Sequence, residues 1–221
     1  MTRCFRWILA LALLLSMSGC AGLQLGRSFV NVPLFEEAGD LSVGAGLSNQ
    51  GASIQAGYAV NDWLGTFGSL GYAQTPDAWS AGLDVGAGPY RRWKHFAAEG
   101  FLLVGTGTGD GTYLYHRGTA EDLGRASHVD MGVQANVAYV HPHVKLGWFT
   151  QARRAVYATP PLASRDAYRF LSGPFIRGGP DCCELELQLL AVVYRSGWSV
   201  VGDEDYPFHA PLSLRLIFRF P

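Results

Sequence analysis

From Asp40 to the end of the chain, apolar residues return at every second position in short runs broken by turn residues. An extended chain points successive side chains to opposite faces, so this period builds strands with one apolar and one polar side. In "DLSVGAGL", Leu41, Val43, Ala45 and Leu47 oppose Ser42, Gly44 and Gly46. In "VDMGVQANVAYV", Val129, Met131, Val133, Ala135, Val137 and Tyr139 oppose Asp130, Gln134 and Asn136. "PLSLRLIFRFP" sets Leu214, Leu216, Phe218 and Phe220 against Ser213, Arg215 and Arg219. "WLGTFGSLGYA" is a poorer strand, mixed on both faces.

About ten such strands follow one another, an even number, as in bacterial outer-membrane barrels. Their connections fall into two classes. Turns at Asn61-Asp62, residues 91–95, 141–143 and 178–181 are short and share one side. Connections around Pro76, residues 107–127, Pro160 and Asp203 share the other side and are mostly longer. Short periplasmic turns with longer outer loops are the outer-membrane pattern.

A soluble closed barrel also alternates, with its apolar face inward. Three features favour apolar-out. The polar faces are rich in Gly, Ser, Gln and Asn and poor in Lys and Glu. Aromatic residues gather near strand ends, among them Tyr58, Trp63, Tyr72, Tyr90, Trp93, Phe96, Tyr139 and Tyr157, like an interfacial girdle. The last strand ends Phe218-Arg219-Phe220, similar to an outer-membrane C-terminal signal, although Pro221 follows. With apolar outward, Asp84, Glu99, Asp130, Lys145, Arg153, Arg177, Glu186, Arg215 and Arg219 point into a narrow lumen. Unpaired buried charges cost several kcal/mol, so these residues are expected to pair across it. A lumen of this size fills with side chains rather than staying open.

The first residues address the chain. Met1 to Trp7 carries Arg3 and Arg6, and Ile8 to Leu15 is apolar but short of the roughly 20 residues a membrane helix needs. Met17-Ser18-Gly19-Cys20 resembles a lipobox, which makes Cys20 the lipidated first residue of the mature chain, with Met17 where Leu is usual. Residues 1–19 are then a signal peptide, 20–38 a lipid-anchored tether and 39–221 the barrel. The chain has 17 basic and 18 acidic residues; without Arg3 and Arg6 the balance is 15 to 18, or −3. A slightly acidic chain with no basic run excludes nucleic acid as a partner. Cys182 and Cys183 are adjacent, a spacing that makes only a strained disulfide, so no disulfide framework is indicated.

"VPLF…GD", "QAGYAVND" and the ending "GPFIRGG…LELQL…PLSLRLIFRF" resemble small outer-membrane barrel lipoproteins of unassigned function, common in Bacteroidetes. The resemblance implies a lipid-tethered outer-membrane barrel and carries over no catalytic residue.

Chemistry is sparse. His141 and His143 flank a turn proline and are too few for a zinc site. "GTGTGDG" lacks the lysine and helix of a phosphate loop. Asp203-Glu204-Asp205 reads as a solvated loop tip. His116 and His128, with Asp110, Glu121, Asp122 and Asp130, are the only candidates for rim catalysis, and no motif joins them. The expectation is therefore an all-β, antiparallel up-and-down transmembrane barrel in the outer membrane of a Gram-negative bacterium, lipid-anchored, with a structural or interaction role. No metal or cofactor is expected. Its partners are outer-membrane lipid, the barrel-assembly machinery, and a protein or lipopolysaccharide at the outer loops. The alternatives are an outer-membrane enzyme acting at the outer rim, a small-solute pore and a soluble periplasmic ligand-binding barrel.

Overall fold

The computed structural model describes residues 30–48, 51–75, 78–110, 113–116, 119–122, 125–159, 162–179, 183–189, 191–197, 199–200 and 212–220. The leader, Cys20, Cys182 and the acidic run at 203–205 lie outside them. The strands are β1 (Leu41–Ser48), β2 (Gly51–Ala59), β3 (Leu64–Thr75), β4 (Ala78–Trp93), β5 (Phe96–Asp110), β6 (Tyr113–His116) and β7 (Thr119–Asp122). They continue with β8 (Ala126–His141), β9 (Val144–Thr159), β10 (Leu162–Gly178), β11 (Cys183–Leu189), β12 (Ala191–Gly197), β13 (Ser199–Val200) and β14 (Leu212–Phe220).

From β1 through β5, and on through β8, β9 and β10, each strand pairs antiparallel with the next. β11 and β12 follow one another along β10 and together make one stave. β14 joins β11 to β1, and this closes the barrel with ten staves. Among the described residues, closure pairs every wall strand except β12 on both sides. The short β6, β7 and β13 form a separate sheet at the loop end.

The alternation read from the sequence sets the faces. Leu47, Ile54, Leu102, Val104, Met131 and Val133 all point outward, and Leu102 is 71% exposed. The odd-numbered row of β8, Val129 to Tyr139, makes an apolar band about 25 Å tall at a typical barrel tilt. Its lower margin carries Trp93, Phe96, Tyr139 and Phe220, all exposed. At its upper margin Arg154 bonds Asp166 at 2.8 Å and lies over the Tyr168 ring. The barrel is therefore apolar outside and holds its charged residues inside, the architecture of outer-membrane barrels.

Several boundaries differ from the sequence reading. β4 runs through Arg91–Trp93, so the turn is only Lys94-His95. β5 reaches Asp110 and β8 starts at Ala126, which shortens the 107–127 loop. Phe67 explains the mixed pattern of β3: it points inward and meets Phe101 edge-on, centroids 5.0 Å apart. Tyr90 and Tyr157 are also buried inside, at 4% and 5% exposure, and do not belong to the girdle. The largest difference concerns the tether. Residues 30–35 are not outside the barrel but inside it, and all six are buried.

Candidate functional site: a lumen filled by the chain itself

The inward charges gather in three groups along the lumen. Toward the loop end, Arg153 Nη1 bonds Asp84 at 2.7 Å and Asp130 at 2.5 Å. Gly105 makes room for both acids: a Cβ there would lie 2.3 Å from Asp84 Oδ1. At mid-lumen, Glu186 is shared between Arg177 at 2.6 Å and Arg215 at 3.1 Å, all three fully buried. At the turn end, Glu184 bonds Lys145 at 2.6 Å and Arg219 at 2.9 Å, and Arg219 also bonds Asp40 at 2.9 Å. Glu99 stands apart from these pairs. It accepts from Asn136 Nδ2 and from the Phe35 backbone N–H, each at 2.9 Å.

A continuous polar chain ties the first group to Glu99. Arg153 Nε donates to Gln151, Gln151 donates to Gln134, Gln134 donates to Asn136, and Asn136 donates to Glu99. Such chains polarise one another and hold a single arrangement.

Residues 30–35 complete what the charges leave open. Arg215 and Gln188 donate to the Val30 carbonyl at 2.6 and 2.8 Å. Gln134 donates to Asn31 O at 2.5 Å. Arg177 donates to Val32 O and, at 3.1 Å, to Pro33 O. Arg219 donates to Pro33 O at 3.1 Å and Leu34 O at 2.9 Å. Arg219 sits at the turn end of β14 and Arg215 deeper along it, so the segment rises from the turn end into the middle of the lumen.

Its side chains meet an apolar half of the lumen that the sequence reading did not foresee. Val30, Val32 and Leu34 join Ala97, Ala138, Val140, Phe149, Leu171 and Phe175. Phe35 joins Ala59, Phe67, Tyr90, Phe101 and Leu103. Leu34 adopts φ 54, a left-handed conformation uncommon for a side chain, and this bend sends Leu34 and Phe35 to the two different clusters. Burying four apolar side chains stabilises the seated segment by about 8 kcal/mol. Ordering six residues costs about 9 kcal/mol, so the carbonyl hydrogen bonds tip the balance.

Glu36 sits at the mouth. It bonds Lys145 at 2.8 Å and lies 3.3 Å from Arg92. Partial burial pushes its carboxyl upward, but Lys145, Arg219 and Arg92 outweigh that and hold it below its ordinary value of 4.5.

Period two places Glu184 on the same face as Glu186, so its role was readable from the β11 pattern. Nothing local marks residues 30–36 as lumen residues. His128 Nε2 lies 3.5 Å from Asp130 Oδ2, with its ring 5.2 Å from that of Tyr157. The His116, Glu121 and Asp122 side chains fall outside the described residues. His141 and His143 stand on the exposed turn, centroids 5.9 Å apart. Among the described residues no three His, Cys, Asp or Glu gather as a metal site.

No protein-family profile matches this chain, and no curated protein is similar to it. Among solved structures it is similar to a KdgM porin, with a TM-score of 0.37, 8% identity, and 82% of this chain and 99% of that one covered. It is also similar to LpxR from Salmonella typhimurium, with a TM-score of 0.35, 9% identity, and 82% of this chain and 100% of that one covered. Likeness at this level assigns no activity to the chain.

Proposed function

We propose that this protein is an outer-membrane lipoprotein of a Gram-negative bacterium, anchored through Cys20, that serves a structural or interaction role with its lumen closed. The observation that carries the reading is the inversion of faces: large apolar side chains stand outward around the closed wall, while Arg177, Arg215 and Glu186 are fully buried within it. Water makes that arrangement costly, and a bilayer makes it favourable. Residues 30–35 occupy the lumen, so the barrel conducts no solute. It meets lipid through its outer face, the assembly machinery during insertion, and a protein or lipopolysaccharide partner at the loop end.

The test is membrane fractionation with heat-modifiable gel mobility on wild type and Cys20→Ala. Outer-membrane fractionation that survives the substitution, with an unboiled band that shifts on heating, supports an embedded barrel. Release of Cys20→Ala into the soluble periplasm overturns it. The His128–Asp130 pair favours a second reading, an enzyme acting at the outer rim. That reading requires hydrolysis of a lipid or peptide ester or amide by the purified barrel, abolished in His128→Ala.

A further inference from the structure

The lumen holds its occupant by features that do not depend on that occupant's identity. The five donors, Arg177, Arg215, Arg219, Gln134 and Gln188, all reach main-chain carbonyls. A carbonyl is the same on every residue, so this half of the lumen recognises an extended chain rather than a sequence. Selectivity comes from the other half, where the apolar cluster takes residues 30, 32 and 34 and the aromatic cluster takes residue 35. Pattern recognition of this kind, main chain by hydrogen bonds and alternate side chains by pockets, is how proteins bind extended peptides.

The strand ladder does not include this segment. Residues 30–36 belong to no strand, and the ladder closes through β14 and β1 without them. Residues 36–39, which link the segment to β1, are exposed at the turn end and leave the mouth accessible there. The fit is also imperfect. Leu34 is bent into a left-handed φ of 54, and the buried Arg215 Nε has no hydrogen-bond partner among the described residues.

We propose that the lumen is a peptide-binding channel, occupied here by residues 30–35 of its own chain, that accepts from a second chain an extended segment with apolar residues at alternate positions. The inference depends neither on lipid at Cys20 nor on the compartment.

Competition from the tethered segment sets the design. A short link gives it an effective concentration of order millimolar, so a free peptide competes with it only near that concentration unless the link is cut. A protease site inserted between Glu37 and Ala38, in a Cys20→Ser background, lets the barrel fold with the segment seated and then releases it from the wall. The probe is a fluorescent peptide, VNVPLFEE, followed by anisotropy in detergent. Two competitors accompany it: an unrelated peptide with the same alternation, and a shuffled peptide of the same composition without it.

The expected result is saturable uptake after cutting, one peptide per barrel, with the shuffled peptide at least tenfold weaker. The unrelated alternating peptide is expected to bind within tenfold of VNVPLFEE, and its failure beside uptake of VNVPLFEE overturns recognition by pattern. No uptake by a cut barrel whose band still shifts on heating overturns the proposal, and so does equal binding of the shuffled peptide. If the insertion prevents folding, the uncut wild type is treated with millimolar peptide bearing benzophenone in place of its phenylalanine. Crosslinks to β4 or β5, beside Tyr90 and Phe101, are expected, and their absence overturns the proposal.

Discussion

Gly65→Ala tests whether the seated segment is held as its contacts require. A Cβ on Gly65 would stand 2.2 Å from Phe35 Cε2 and 2.5 Å from Cδ2. Carbon atoms in contact prefer about 3.5–4.0 Å, so the ring must move by more than an ångström. It has nowhere to go. The Tyr90 and Phe101 rings already pack against it, at centroid distances of 5.4 and 6.4 Å. Phe35 must therefore leave its cluster. Losing its burial costs about 2 kcal/mol and losing its ring contacts about 1 kcal/mol more. A change of about 3 kcal/mol shifts the balance between seated and released segment about 100-fold. Limited proteolysis of the folded barrel reads this shift directly, because cleavage within residues 30–38 follows the released population. Heat-modifiable mobility reports separately that the wall has stayed closed. Gly68→Ala on the same strand is the control, since its Cβ meets nothing closer than 3.6 Å. Wild-type digestion of Gly65→Ala, or equal digestion of the two variants, would refute the reasoning.

Glu186→Gln leaves two fully buried guanidiniums without their shared carboxylate; the expected loss is about 3–5 kcal/mol, read as a lower urea midpoint in detergent. Val133→Arg, central in the outward row of β8, is expected to cost about 2–4 kcal/mol in a bilayer and almost nothing in water; equal folding free energies in vesicles and in detergent-free buffer would place the outer face in solvent. Glu36 has a folded pKa below its unfolded value, so its contribution is present above the unfolded value of 4.5 and is lost as pH falls through the lower folded one. Proteolytic release of residues 30–38 should accordingly rise in wild type below about pH 4.5, and Glu36→Gln should lack that component. Arg154→Ala removes an exposed pair and should change stability by less than about 1 kcal/mol, measured by the same urea series.

The inward charges were legible because a period of two leaves no choice. Once Leu185 and Leu187 face out, Glu186 and Gln188 face in. The turn at Asn61 was legible for a local reason too: its side-chain oxygen accepts from the backbone N–H groups of Trp63 and Leu64. Phe67, Tyr90, Phe101 and Phe149 were not legible as lumen residues. They sit on polar-side positions, and an aromatic there looks like a lapse in the pattern until its partner is known. Their partners are Val30 to Phe35, a short stretch interrupted by Pro33 that reads as a linker.

By itself the sequence determined the wall: the strands, their faces, the sides on which turns and loops fall, and the charges that must be buried. All of that follows from covalent geometry, which repeats every second residue and acts over a few positions. Only the tertiary structure decided what fills the wall. Arg177 meets Val32, and Arg215 meets Val30, across separations of 145 and 185 residues. No local periodicity encodes a contact of that range. It is selected because closing the barrel buries guanidiniums whose remaining donors need acceptors, and the main-chain carbonyls of residues 30–34 supply them.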